Sequence, residues 1–274
     1  MDLSTKLEIV SQSDVGRRRP HNEDSTIADK RKGLAILADG MGGYKAGEVA
    51  SALAVTQIYH DICQQLKRLK KERVDQESGF YEQTLLLQKI VSKANSLIVD
   101  TAKQGEQYQG MGTTIIVSLF FENKLAIAHV GDSRVYRFRN NELQQITRDH
   151  SLVQELIDRG LYTAEEAYAK TPRNLVTRAM GIDDKVEVDL KEENVLPDDI
   201  YLLCSDGLND MVADEEIHLT LSKYSANLVQ AADNLVQSAN RHGGKDNISV
   251  ILVRVLEEYS SPRNFLEKLT NRFK

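Results

Sequence analysis

The strongest constraint in this chain is a pattern that occurs four times: a strand-length apolar run meeting an aspartate beside small residues. Leu34-Ala35-Ile36-Leu37-Ala38 runs into Asp39-Gly40-Met41-Gly42-Gly43. Residues 201–204 lead through Ser205 into Asp206-Gly207, and residues 126–130 lead through Gly131 into Asp132. Asp246 follows Gly243-Gly244-Lys245, just ahead of the apolar run 248–255. Short apolar runs bounded by glycine and aspartate read as buried strands. One Asp-Gly alone is also a hairpin-turn signal and carries little. Four such ends brought together would crowd four carboxylates, whose repulsion needs cations to offset it. Oxygen ligands suit hard ions such as Mg2+, Mn2+ or Ca2+ rather than zinc. No His-Glu-x-x-His or Cys/His zinc spacing competes with that assignment. The aspartates are read as a metal site.

The surrounding elements favour α+β with antiparallel sheets. A strand is expected at 7–13, and a hairpin joins 26–28 to 34–38 across Lys30-Arg31-Lys32-Gly33. Val49, Leu53, Ile58, Ile62 and Leu66 fall at helical spacing, so 46–66 is a long amphipathic helix, with a second over 81–103. Between them, the charged stretch 67–79 reads as a solvated helix end and loop rather than a binding patch. Strands follow at 115–121, 124–130, 135–139 and 143–146, with turns at Glu122-Asn123 and Asn140-Asn141. Strands at 186–190 and 200–204, helices at 213–224 and 228–241, and a closing strand at 248–255 complete the order. Strands in hairpins and helices in pairs argue for two packed sheets with helices on both outer faces, not βαβ winding. Residues 150–180 are polar and broken by Gly160 and Pro172, a lid-like insertion.

At 274 residues with 41% apolar content, the chain can bury one large core without splitting into domains. Its formal charge of −6 gives no basic field for nucleic acid. No apolar run approaches the roughly 20 residues needed to span a membrane. Cys63 and Cys204 form no Cys-x-x-Cys pair and no signal peptide is evident, so a soluble cytoplasmic protein with reduced thiols is expected. Cys204 is expected in the core, and His129 is expected to be a satisfied core histidine rather than a ligand.

Six ordered motifs carry a family resemblance. They are Arg19-x-x-Asn22-Glu23-Asp24, Asp39-Gly40-Met41-Gly42-Gly43, Met111-Gly112-Thr113-Thr114, Val130-Gly131-Asp132-Ser133-Arg134, Ser205-Asp206-Gly207-Leu208 and Lys245-Asp246-Asn247. Over about residues 7–256 the chain resembles the bacterial, single-domain branch of the type 2C, metal-dependent serine/threonine phosphatases. The resemblance implies a four-layer α-β-β-α sandwich over 1–256, with a lid at about 148–182 and a tail at 257–274. It implies hydrolysis of phosphoserine and phosphothreonine in proteins by a water or hydroxide shared between two Mg2+ or Mn2+ ions. Asp39, Asp206 and Asp246 are then expected on the first ion. Asp39, the Gly40 carbonyl and, mostly through water, Glu23 are expected on the second, and Asp132 on a third, weaker one. Arg19 is expected to hold the substrate phosphate, where lysine could not copy its planar fork. Asp24 and Asn247 are expected to support these residues without touching an ion. The implied partners are phosphoproteins and a cognate bacterial serine/threonine kinase, and the chain is expected as a monomer.

Two departures stand out. Met41 occupies the place where some relatives, chiefly eukaryotic, carry a histidine able to protonate the leaving alcohol, so that step is expected to fall to water on a metal. Lys170-Thr171-Pro172-Arg173-Asn174 replaces the His-Pro that bacterial relatives often carry before Arg-Asn. Beyond the resemblance, Phe265, Leu266, Leu269 and Phe273 lie near one helical face among basic residues. This suggests a short helix docked on its own domain, with a membrane-surface or partner-binding segment as the alternative. A catalytically silent phosphoprotein-binding scaffold is the rival from another class, and intact Asp39, Asp206, Asp246 and Arg19 weigh against it. A hydrolase of another phosphoester such as a nucleotide is a further rival, unsupported by any Gly-x-x-x-x-Gly-Lys loop.

Overall fold

The computed structural model describes residues 2–43, 46–66, 73–172 and 175–259. The expected tail helix and Arg173-Asn174 therefore lie outside the described residues. The strands are β1 (Leu7–Asp14), β2 (Asp24–Asp29), β3 (Leu34–Met41), β4 (Gly112–Thr113), β5 (Ile115–Phe121), β6 (Lys124–Val130), β7 (Arg134–Arg139), β8 (Glu142–Gln145), β9 (Asp189–Asn194), β10 (Ile200–Cys204) and β11 (Ile248–Val255). The helices are α1 (Ala46–Gln65), α2 (Glu82–Ala102), α3 (Leu152–Asp158), α4 (Ala164–Lys170), α5 (Asp206–Asn209), α6 (Asp214–Tyr224) and α7 (Leu228–Arg241).

The strands form two antiparallel sheets, ordered β1-β11-β10-β7-β8 and β2-β3-β5-β6-β9, with β4 beside the end of β3. Alternation along each strand divides the apolar residues between three interfaces. On β3, Leu34, Ile36 and Ala38 face α1 and α2, whereas Ala35 and Leu37 face the other sheet. On β11, Val250 and Leu252 face α6 and α7, whereas Ile251 and Val253 point between the sheets. The order of layers is thus helix pair, sheet, sheet, helix pair, as the pattern of elements predicts.

Several boundaries differ from expectation. The strand expected at 186–190 is found at Asp189–Asn194, pairing with β6 at the sheet edge. Strand β3 does not stop before Asp39 but runs on to Met41, and β2 starts at Asp24, so both carboxylates sit inside a ladder. The 150–180 segment folds into the short helices α3 and α4. Its base is tied down by isolated bridges, Ser151 to Val176 and Thr113 to Met180.

The inward-facing positions change character at one end of the sandwich. Following Leu37 by two residues leads to Asp39; following Leu203 by two leads to Ser205. Stepping back from Ile251 gives Ser249 and then Asn247. The alternation that builds the inter-sheet core therefore delivers polar groups at this end, and β10 and β11 are paired in the register that sets them together.

Candidate metal centre

The site begins at the β2–β3 pair. The Asp39 N–H donates to Thr114 Oγ1 (3.0 Å), and its carbonyl accepts from Thr114 N (2.8 Å). Both backbone groups of Asp39 thus point away from β2, so Asp24 and Asp39, directly opposite, form the close, non-hydrogen-bonded kind of antiparallel pair. Their carboxylates share one face. Asp24 Oδ2 accepts from Ser205 Oγ (2.8 Å), and that hydroxyl accepts from Ser249 N (2.9 Å), which fastens the two sheets together beside the carboxylates.

Asp206 opens the short helix α5 directly after β10, and Asp246 lies in the loop before β11. Asp246 Oδ2 accepts from Arg19 Nη2 at 2.7 Å. Asn247 fixes the N-terminal loop. Its Oδ1 accepts from Glu23 N (2.7 Å), and its Nδ2 donates to the carbonyls of Val15 and His21, each at 2.9 Å. Glu23 faces Arg19, Asp246 and Glu48, at the start of α1. That helix is seated by two glycines in contact. A Cβ on Gly47 would come within 2.8 Å of the Gly40 carbonyl carbon and oxygen, so neither residue tolerates a side chain. Gly47 belongs to no expected motif.

The Asp132 turn is braced by the base of the 148–182 segment. Gly131 N donates to His150 Nδ1 (3.0 Å), and its carbonyl accepts from His150 N (2.8 Å). Arg134, two residues beyond Asp132, is buried against Asp149, with Nε and Nη2 donating to the carboxylate at 2.7–3.0 Å.

The electrostatics follow from crowding. Burial, then repulsion from Asp24, Asp206, Asp132 and Asp246, pushes the Asp39 carboxyl well above the ordinary range. Asp206 is raised in the same way by burial and by Asp132, Asp246, Asp210 and Asp24. Burial lifts Asp24 to about 6, and burial with Asp149 and Asp210 lifts Asp132 to about 7. Asp24 Oδ1 and Asp206 Oδ1 are buried without a hydrogen-bond partner. An all-oxygen set of mutually repelling acids with two buried bare oxygens fits hard divalent cations. Among the described residues no three such groups are already gathered at coordinating distance. Asp246 is turned onto Arg19, so the fit rests on donor chemistry rather than on a finished cage.

This crowding has a measurable pH signature. Asp132 holds its proton more tightly folded than unfolded, so its contribution to stability is complete below about 4 and lost as pH rises through about 7. In chelator, Asp132→Asn is expected to match the parent near pH 4. It should exceed the parent's Tm by roughly 5–10 °C at pH 8. The histidines cancel in this comparison. A margin that stays flat or reverses with pH would remove the case for crowding.

Three residues at the site are not among those expected to carry its chemistry. Asp210, Met211 and Lys245 line a cavity of about 540 Å³ together with Arg19, Asp206 and Asp246. Asp210 follows Asp206 by one helical turn, a spacing that could have drawn attention to it. Met41 is no substitute for an acid, since its Cε lies beside Gly112 and Ile182 in an apolar wall. Cys204 is buried as expected. His129 is buried too, with burial driving its pKa down to about 3, but its Nε2 has no hydrogen-bond partner, so it is not the satisfied histidine anticipated.

The protein phosphatase 2C family profile matches residues 17–249. A serine/threonine phosphatase, stp, of Listeria welshimeri is 37% identical over 260 residues, covering 94% of this chain and 96% of that protein. The Mycobacterium tuberculosis serine/threonine phosphatase PstP/Ppp superposes with a TM-score of 0.80 at 37% identity, over 92% of this chain and 100% of that one. A PstP catalytic domain in complex with two manganese ions gives a TM-score of 0.77 at 37% identity, over 92% of this chain and 99% of that one.

Proposed function

This chain belongs to the protein phosphatase 2C family and is a serine/threonine phosphatase; on that premise we propose how its own residues carry the hydrolysis of phosphoserine and phosphothreonine in proteins. The observation that supports the assignment best is the convergence of Asp39, Asp206 and Asp246 beside Arg19 at one end of the sandwich. Two Mg2+ or Mn2+ ions held there would neutralise the phosphate dianion and lower the pKa of the attacking water. Asp39, Asp206 and Asp246 would hold one ion; Asp39, the Gly40 carbonyl and Glu23 the other; and Asp132 a third, weaker one. The two manganese ions of the PstP catalytic domain support the first two of these ions.

Arg19 is the phosphate-gripping group. Its guanidinium now donates to Asp246, and it would exchange that carboxylate for two phosphate oxygens as substrate enters. Lys245, on the same cavity, adds positive charge near the ester. Residues 148–182 form the lid against which the phosphoprotein docks. A serine/threonine kinase must supply the substrate, because such phosphoesters arise by transfer from a nucleotide. Cytoplasmic location and a monomeric state complete the proposal. Among the described residues no helix is long and apolar enough to cross a membrane.

The test is phosphate release from a phosphothreonine peptide. Turnover is expected with Mn2+ and not with chelator. No turnover in folded, Mn2+-loaded protein would replace the enzyme by a phosphoprotein-binding domain. Arg19→Lys is expected to raise KM roughly 10–100-fold, since a point charge cannot replace the planar fork. An unchanged KM would remove Arg19 from the phosphate.

A further inference from the structure

The Met111-Gly112-Thr113-Thr114 motif contributes no carboxylate, yet its threonines bind the backbone of Asp39 on every free group. The Asp39 carbonyl accepts from Thr114 N and from Thr113 Oγ1, each at 2.8 Å. The Asp39 N–H, which a regular ladder would send to the Thr114 carbonyl, goes to Thr114 Oγ1 at 3.0 Å. The displaced Thr114 carbonyl lies 2.9 Å from the same Thr113 Oγ1, whose single proton is shared between it and the Asp39 carbonyl. Having accepted from Asp39, the Thr114 hydroxyl can give its own proton to Ser133 Oγ, 2.8 Å away. Thr114 is 3% exposed and Ser133 0%, so water does not compete for either bond. Ser133 adjoins Asp132, and the Thr114 side chain packs where a Cβ on Gly131 would come within 2.6 Å. One hydroxyl therefore joins the strand that carries Asp39 to the turn that carries Asp132.

We propose that Thr114 is a positioning residue of the phosphatase reaction, whose hydroxyl sets the Asp39 carboxylate at a fixed distance from Asp132 by bridging the Asp39 N–H to Ser133. It touches neither substrate nor the reacting atoms. It acts through two acidic residues on separate elements, the end of β3 and the turn after β6, which its single hydroxyl ties together. The inference rests on the ion-binding role given above to Asp39 and Asp132. Groups that orient ligands in this way change affinity or activity by roughly 10–100-fold when removed.

The experiment compares Thr114→Val, which keeps the shape and methyl packing but loses the hydroxyl, with Thr114→Ser, which keeps the hydroxyl. Mn2+ binding is followed by titration calorimetry, separately from kcat and KM on a phosphothreonine peptide. Thr114→Val is expected to weaken Mn2+ binding and lower kcat by roughly 10–100-fold with KM within about threefold of the parent, and Thr114→Ser to recover both. Ser133→Ala should give a smaller loss. Combined with Thr114→Val it should add nothing, because both act on one link. A folded Thr114→Val protein with the parent's isotherm and kcat would overturn the proposal, and so would a Thr114→Ser loss as large as that of valine, because the hydroxyl that serine keeps would then not be what matters. If Thr114→Val does not fold, Ser133→Ala decides, and an unchanged isotherm there overturns it. Failure of the parent itself to bind Mn2+ would instead defeat the underlying site assignment.

Discussion

Asp206→Asn is expected to slow phosphate release on the order of a thousandfold in saturating Mn2+ while melting at a higher temperature than the parent in chelator. Both effects have one origin. Asp206 Oδ1 is buried without a partner, and the carboxyl is raised by Asp132, Asp246, Asp210 and Asp24 around it. Asparagine has the same shape, carries no charge and can donate to a neighbouring carboxylate, so the folded protein no longer has to hold one repelling acid in place. The same change removes the negative oxygen on which cation binding would depend. A phosphate assay and scanning calorimetry on one preparation check the pair. Loss of turnover with a lower Tm in chelator would mean that Asp206 supports the fold and that repulsion at this end has been overstated.

Arg134→Met is expected to lower Tm by on the order of 10 °C. The guanidinium is buried against Asp149 through both its Nε and Nη2, and its Nη1 donates to Tyr136 Oη at 2.9 Å. Tyr136 in turn donates to Asp214 Oδ1 at 2.9 Å, at the start of α6. Methionine matches the length of the side chain but leaves Asp149 buried with Gln145 Nε2, at 2.9 Å, in place of its ion pair. Uncompensated buried charge of this kind costs about 3–5 kcal/mol. Adding Asp149→Leu should recover much of the loss, because an apolar pair of similar volume is often neutral where a broken ion pair is not. A drop under about 2 °C in the single variant, against the roughly 2–4 °C expected per kcal/mol, would show Asp149 to be solvated.

Legibility from sequence followed the apolar pattern. Strands β6, β10 and β11 and helix α7 lie at the residues their periodicity predicts. Strand β9 was misplaced because Asp-Leu-Lys-Glu-Glu-Asn is an edge strand with alternately exposed charged residues, and its position comes from pairing with β6 rather than from its own composition. Likewise β4, two residues long, exists only because β3 passes beside it. At the site, the aspartates were visible as carboxylates next to apolar runs. Gly47, Asp210 and Lys245 were less visible, because a glycine at a close backbone approach and a charge on a cavity wall leave no mark in the apolar pattern. The antiparallel pairing that puts Asp24 against Asp39 was hidden for the same reason: it depends on where two strands begin, the least readable part of any element.

The polar end of the sandwich continues the alternation of the core, with Asp39 two positions after Leu37 and Ser205 two after Leu203. Since side chains along a strand repeat every second residue, sliding β3 by a single position would turn Asp39 out toward the helices and bring Gly40 in. Half a site cannot form in a mispaired sheet. With Asp39 as a ligand, ion uptake during refolding would report strand alignment, and a collapsed chain with helices in place but β3 out of step would be silent to Mn2+.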